Sequence, residues 1–329
     1  MTDRDHGPAI DPKLPPGLPS GEGTVVTVGT FDGVHRGHWA VLQEIRERAR
    51  TRGLRSVLVT FHPHPLRIVR PEAAPRLLTT PDEKKEVLAE SGLDYAVFLS
   101  FSRALSRYSP DRFVREILMD RLSVRELVIG YDHGFGRGRS GDADTLRAIG
   151  AREGFAVDVV RPVFAGDDAI SSTRIRAAIA RADLAMATAG LGRPYSVRGL
   201  VVRGDGRGRQ LGFPTANLGG VSPDKALPPP GVYAVRGSVR SGVHDGALHL
   251  GPRPTFPGAS PSIELHLIDF EGDLYGEEVR VDFMERIREI RPFASVQALV
   301  DQMRVDVSRA RRILAGATPP PARGSSGPG

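Results

Sequence analysis

The 329-residue chain contains no cysteine, which excludes disulfides, thiol nucleophiles and thiolate metal sites and fits a reducing compartment. Lysine is almost missing too: of 45 basic residues only Lys13, Lys84, Lys85 and Lys225 are lysine, leaving 41 scattered arginines. The formal charge of +6 therefore reads as compositional bias rather than a polyanion-binding face. Part of the arginine excess suits small phosphorylated ligands. Aromatic residues are sparse at 6%, and neither a helix-turn-helix nor an aromatic-basic surface is evident, so no nucleic-acid partner is expected. Nowhere do about 18 apolar residues run uninterrupted, and the N-terminus MTDRDHGPAIDPKLPPGLPSGEG lacks a basic start and an apolar segment. The expectation is a soluble, cytoplasmic protein with no membrane partner.

What is present begins with TVVTVGTFDGVHRGH, residues 24–38. Val25, Val26 and Val28 suit a buried strand, Gly29 and Gly33 permit a tight turn, and residues 39–50 carry helical periodicity. In open parallel sheets the ligand crevice lies at the carboxyl ends of the strands, and a helix N-terminus offers N–H groups to phosphate. His35 and His38 would point into that crevice as donors to charge developing in nucleotidyl transfer. Gly37 leaves room for a flat purine, and Gly29, Phe31 and Asp32 complete the expected nucleotide site. The competing reading is a pair of histidines that only cap a helix.

Strand-like runs at 25–28, 56–61, 95–101, 126–132 and 155–163 alternate with helical stretches around Val41, Val87, Phe113 and Leu146, which predicts a parallel, doubly wound α/β sheet. After Leu191-Gly192-Arg193-Pro194 the pattern becomes strand after strand, an antiparallel barrel or sandwich closed by a helix that starts at Ser295. The apolar stripe of that helix is expected to be core. Residues 21–191 and 192–316 are the expected domains, between disordered tails at 1–20 and 317–329.

Further motifs fall on these frames. AISSTRIR, residues 169–176, places Ser172, Thr173 and Arg176 at a helix start, where they would grip phosphate beside the histidines. GYDHGFGRGRSGD, residues 130–142, puts Asp132 on a glycine-rich loop at the crevice edge. FHPHP, residues 61–65, could join His62 and His64 to His35 and His38 around zinc, but the prolines stiffen the segment and no carboxylate completes a familiar spacing. In GDGRGRQLGFPTANL, residues 204–218, Gly204, Gly208 and Arg209 would approach nucleotide phosphates, while Thr215 and Asn217 share a face as neutral oxygen donors for Mg2+. Glu264 lies in PSIELHLIDF opposite Ile263, Leu265 and Leu267. It is a general base if that face lines a cavity and a solvated charge if it meets water.

Together GTFDGVHRGH, FHPHP, ISSTRIR, LGRPY, RGRQLGFPTANL, PGVYAV, GPRPTF and IELHLIDFEGDLYGEEV resemble the bifunctional bacterial riboflavin kinase/FMN adenylyltransferases, also called FAD synthetases. The resemblance implies a Rossmann-like nucleotidylyltransferase domain that adenylylates FMN with ATP, then an antiparallel six-stranded β-barrel domain with a C-terminal helix that phosphorylates riboflavin. It implies that His35, His38, Ser172, Thr173 and Arg176 hold ATP phosphates. Thr215 and Asn217 would bind magnesium with ATP, and Glu264 would act as base toward the riboflavin 5'-hydroxyl. Flavins are then substrate and product, and protein partners are unknown. The chain departs from the family at Asp132-His133-Gly134, where Asp-Phe-Arg is common, at His62, where an acid is common, and at His249 and Pro230, where asparagine is usual. Two alternatives stay open on sequence alone: a kinase with a degraded or re-purposed first module, and a non-catalytic flavin- or nucleic-acid-binding regulator.

Overall fold

The computed structural model describes residues 22–131, 141–166, 168–204, 206–252 and 262–316. The expected tails and the Asp132-His133-Gly134 departure lie outside the described residues. The chain divides into two compact units, Met1–Ser172 and Thr173–Gly329.

In the first unit β1 (Thr24–Val28), β2 (Arg55–His62), β3 (Tyr95–Ser100), β4 (Val124–Gly130) and β5 (Ala156–Val160) form a sheet in the order β3-β2-β1-β4-β5. Every pairing is parallel. Strands buried on both faces need apolar residues throughout rather than in alternation, and β1, TVVTV, is fully buried. Val25, Leu58 and Val128 meet α1 (Arg36–Arg52), while Val87 and Leu88, on a second helix on that face, join the same cluster. Short α2 (Pro65–Val69) precedes that second helix, α3 (Pro81–Ala89).

Val26, Val57, Val59, Leu127 and Ile129 face the other way. There they meet α4 (Pro110–Phe113), a π-helical stretch Val114–Met119 that continues it, and α5 (Ala143–Glu153). Strand order reverses across β1 and β4, so the ligand crevice belongs at the carboxyl end of β1. The short strands β6 (Phe164–Ala165) and β7 (Asp168–Ala169) pair antiparallel before the unit ends. Helix α1 is tied to the sheet by Glu126 of β4, a fully buried carboxylate bonded by Arg48 and Arg52.

The second unit opens with α6 (Ser172–Ala180), whose first residue belongs to the first unit, and α7 (Leu184–Leu191). Helix α7 packs on two strands of a closed barrel, β8 (Tyr195–Val202) and β13 (Glu278–Arg288). Between them come α8 (Arg207–Gln210), β9 (Ala216–Gly219), β10 (Gly231–Val239), β11 (Gly242–Gly251) and β12 (Ser262–Leu267), and the barrel closes in the order β10-β11-β12-β9-β8-β13. Five of these strands coincide with the strand-like runs of the sequence, and β9 falls in a polar segment.

Helix α9 (Val296–Ala315) begins as expected, with Ser295 accepting from the Ala298 N–H at 3.1 Å. Ala310 and Leu314 pack on Val232, Ala234, Ala247 and Ile287, and Arg236 donates to the Leu314 carbonyl at 3.1 Å. The apolar stripe is only partly core: Leu299, Met303 and Val307 line a cavity instead. Helical periodicity shows which face is apolar and is silent on whether that face meets packed side chains or a void.

Candidate active sites

The turn between β1 and α1 is strained. Phe31 (φ 46°) and Val34 (φ 39°) hold backbone that favours glycine, and Gly33 (φ 82°) lies between them. Such non-glycine conformations cost about 1–3 kcal/mol each and persist only where surrounding contacts over-determine them. Those contacts are present. Asp32, 1% exposed, accepts the Leu78 N–H on both carboxylate oxygens at 3.0 Å and the Thr79 N–H at 3.1 Å. Gly33 donates its N–H to Thr79 Oγ1 at 3.1 Å. Thr30 offers its carbonyl to Thr60 Oγ1 (3.0 Å) and to Lys84 Nζ (2.7 Å), and Ser172 Oγ donates to the Asp32 carbonyl at 2.8 Å.

At the end of this turn His35 is the N-cap of α1, and the two histidines cap reciprocally. His35 Nδ1 accepts the His38 N–H and His38 Nδ1 accepts the His35 N–H, each at 3.3 Å. The rings stack with centroids 3.6 Å apart, and Phe31 lies 4.5 Å from His38. An Nδ1 that accepts an N–H leaves the ring proton of a neutral imidazole on Nε2, so any donation to a ligand is made from there. Capping thus occupies Nδ1 of both rings. Gly37 serves the pair directly: a Cβ there would stand 3.1 Å from His35 Cε1. Gly29 lies under Phe31, where a Cβ would meet the ring at 2.9 Å.

Ser172 starts α6, and Thr173 and Arg176 follow on that helix, exposed and half-buried respectively. Asp132 lies outside the described residues. His64 caps α2, accepting the Leu66 N–H at 3.2 Å. His62 has its pKa pushed down, by burial first and then by the charges of Lys84 and Lys85.

The second unit holds a cavity of about 160 Å3 between the barrel and α9. One end is polar. Glu264 of β12 pairs in register with Asn217 of β9 and with His249 of β11, so three neighbouring strands present these side chains on one face. All three line the cavity with Thr215 and His266. Glu264 Oε1 accepts from Ser262 Oγ at 2.6 Å, and His266 Nδ1 lies 2.9 Å from the Pro214 carbonyl, next to Thr215.

Two glycines before β9 press on this end. A Cβ on Gly208 would sit 2.8 Å from Thr215 Oγ1, and one on Gly204 would sit 2.7 Å from Asn217 Cγ. Arg209, on α8 beside Gly208, is exposed. The other end is formed by Ile290, Phe293, Leu299, Met303 and Val307, with the ion pair between half-buried Arg288 and buried Asp306 at 2.8 Å. Sequence reasoning missed that end and His266, although Glu264-Leu265-His266 alternation already put His266 on the face of Glu264.

A parallel sheet with a strained turn at its switch point, followed by a closed barrel with a carboxylate and neutral oxygens around a cavity, is the arrangement of the two-domain transferases to which the chain is similar. Residues 18–174 match the family model of FAD synthetase, and residues 191–314 match that of riboflavin kinase. The chain is 39% identical over 298 residues to a bifunctional riboflavin kinase/FMN adenylyltransferase of Pseudomonas fluorescens, covering 90% of this chain and 95% of the relative. It is 34% identical over 294 residues to that of Bacillus subtilis (strain 168), covering 88% and 92%. The chain belongs to the bifunctional riboflavin kinase/FMN adenylyltransferase family. A solved structure described as a macrolide-efflux protein from Streptococcus pneumoniae superposes with a TM-score of 0.80 at 32% identity, covering 90% of this chain and 96% of that one. Among the described residues no helix is long and apolar enough to cross a membrane.

Proposed function

We propose that the barrel phosphorylates riboflavin and that the sheet domain transfers an adenylyl group from ATP to the FMN so formed. The observation that carries the first step is the register of Asn217, Glu264 and His249 across three strands facing one cavity. Glu264 takes the proton of the riboflavin 5'-hydroxyl as that oxygen bonds to the γ-phosphorus of ATP, and the bond to the β-phosphate oxygen breaks to release ADP. Thr215 and Asn217 supply neutral oxygens on the same face, a donor set that fits Mg2+ carried by nucleotide phosphates rather than caged by protein. Bound there, the ion would neutralise charge on the transferring phosphoryl group. Gly204 and Gly208 let the preceding backbone lie against this pair, and Arg209 is assigned to nucleotide phosphate. The apolar end under α9 suits the flavin ring.

In the sheet domain a phosphate oxygen of FMN attacks the α-phosphorus of ATP and pyrophosphate departs. His35 and His38 donate from Nε2 to the phosphate oxygens as charge moves onto the leaving group. The ISSTRIR motif, with Ser172, Thr173 and Arg176, is assigned to the same phosphates. Asp32, Gly29, Phe31 and Gly37 shape the turn, and Asp132 is assigned to the nucleotide by sequence alone. Reactions that consume ATP fit a cytoplasmic location.

The test supplies purified protein with ATP and Mg2+ and either riboflavin or FMN, then separates the flavins. FAD from both substrates is expected. FMN without FAD in either case would contradict adenylyl transfer, and no product from riboflavin would contradict the kinase.

A further inference from the structure

The segment Leu78–Lys84 runs from the strand-poor stretch before α3 into that helix, and it touches the strained turn repeatedly. Leu78 and Thr79 give their N–H groups to Asp32, Thr79 Oγ1 accepts from Gly33, and Lys84 reaches the Thr30 carbonyl at 2.7 Å. The segment is itself rigid. Thr80 and Glu83 form a reciprocal cap, Glu83 N–H to Thr80 Oγ1 at 3.3 Å and Thr80 N–H to Glu83 Oε2 at 2.8 Å. Lys84 is 7% exposed, and a lysine is rarely so buried unless its ammonium is paired or hydrogen-bonded.

We infer that Lys84 is a positioning residue for adenylyl transfer, which locks the Thr30 carbonyl and so fixes the turn that aims His35 and His38. This rests on the assignment of adenylyl transfer to the sheet domain. Thr30 immediately precedes Phe31, the first residue of the turn forced to positive φ, and Thr60 Oγ1 shares the same carbonyl. A charged donor at that oxygen holds the peptide against relaxation of Phe31 and Val34, while the Leu78 and Thr79 N–H groups of the same segment hold the carboxylate of Asp32, two residues on. Lys84 does not touch the reacting groups. It acts through the backbone that carries them, where displacement of about 1 Å costs on the order of a hundredfold in rate.

The charges facing Lys84 are Asp32 in the turn and His62 at the end of β2, with Asp82, Glu83 and Lys85 on its own helix. Burial pulls the Lys84 pKa down to about 8, with Asp32 opposing. Below that pH the ammonium makes a charge-assisted bond to Thr30, and above it a neutral amine makes a weaker one. Adenylyl transfer should therefore decline as pH rises through about 8.

The test measures FAD formation from supplied FMN across pH for the wild type, Lys84→Gln and Lys84→Arg, with riboflavin phosphorylation by the same samples as a control on the preparation. Lys84→Gln is expected to lower kcat about tenfold with little change in KM. Lys84→Arg keeps a permanent cation, so it should recover most of the rate and lose the alkaline decline. A merely structural lysine would give variants that differ in stability but share the wild-type pH profile. An unchanged alkaline limb in Lys84→Arg, or a wild-type kcat in Lys84→Gln, would overturn the inference and leave the functional assignment standing. A wild type that makes no FAD from FMN would instead overturn the adenylyl-transfer assignment itself.

Discussion

The turn after β1 and the segment leading into β9 both bring backbone close to a proposed phosphate site, by opposite means. After β1 the chain accepts strain: Phe31 and Val34 sit at positive φ, and the turn is held there by bonds from Leu78, Thr79, Lys84, Thr60 and Ser172 elsewhere in the sheet domain. Before β9 the chain avoids crowding, because Gly204 and Gly208 carry no Cβ where Asn217 and Thr215 stand. The first site is therefore vulnerable at a distance, through its supports. The second is vulnerable on the spot, through any side chain added to it.

That difference orders the expected effects. The largest is Glu264→Gln, which removes the proposed base of the barrel. FMN formation should fall by about 10²–10⁴-fold while FAD formation from supplied FMN persists, as chromatography of the products would show. Comparable losses in both reactions would dissolve the division of labour. Next is His38→Ala, expected to cost FAD formation about 10²-fold while sparing FMN formation. Losing half of the reciprocal cap should also lower stability by about 1 kcal/mol, measurable by chemical denaturation.

Glycine substitutions sharpen the comparison further. Gly208→Ala places a methyl against the Phe213 carbonyl and 2.8 Å from Thr215 Oγ1, so FMN formation should drop by about tenfold or more. Gly37→Ala meets only the edge of the His35 ring at 3.1 Å, and a ring yields more easily than backbone. A loss of a few-fold in FAD formation, about 1 kcal/mol in barrier, is expected. Equal sensitivity at the two glycines, read from kcat/KM, would show that the sites do not differ in the way described.

Much of this was legible in the sequence because the informative residues are close together along it. HxGH at a strand-to-helix junction suggests both a cap and a phosphate site, and the structure shows the cap, made on Nδ1 of each ring. Alternation gave the face of Glu264, but only the barrel shows that this face lines a cavity. Strand β9 escaped notice because four residues containing asparagine and glycine carry no strand signature of their own. Lys84 escaped for another reason. A lysine on a helix reads as a solvated charge until the fold brings it to Thr30, fifty-odd residues away.

The most direct test of two separable sites is complementation between His38→Ala and Glu264→Gln, given riboflavin, ATP and Mg2+ but no FMN. Neither variant alone should make FAD: the first stops at FMN and the second never reaches it. Mixed together they should make FAD, because FMN released by one chain feeds the other. FMN that accumulates in the mixture without conversion, or two variants that each lose both reactions, would contradict the account.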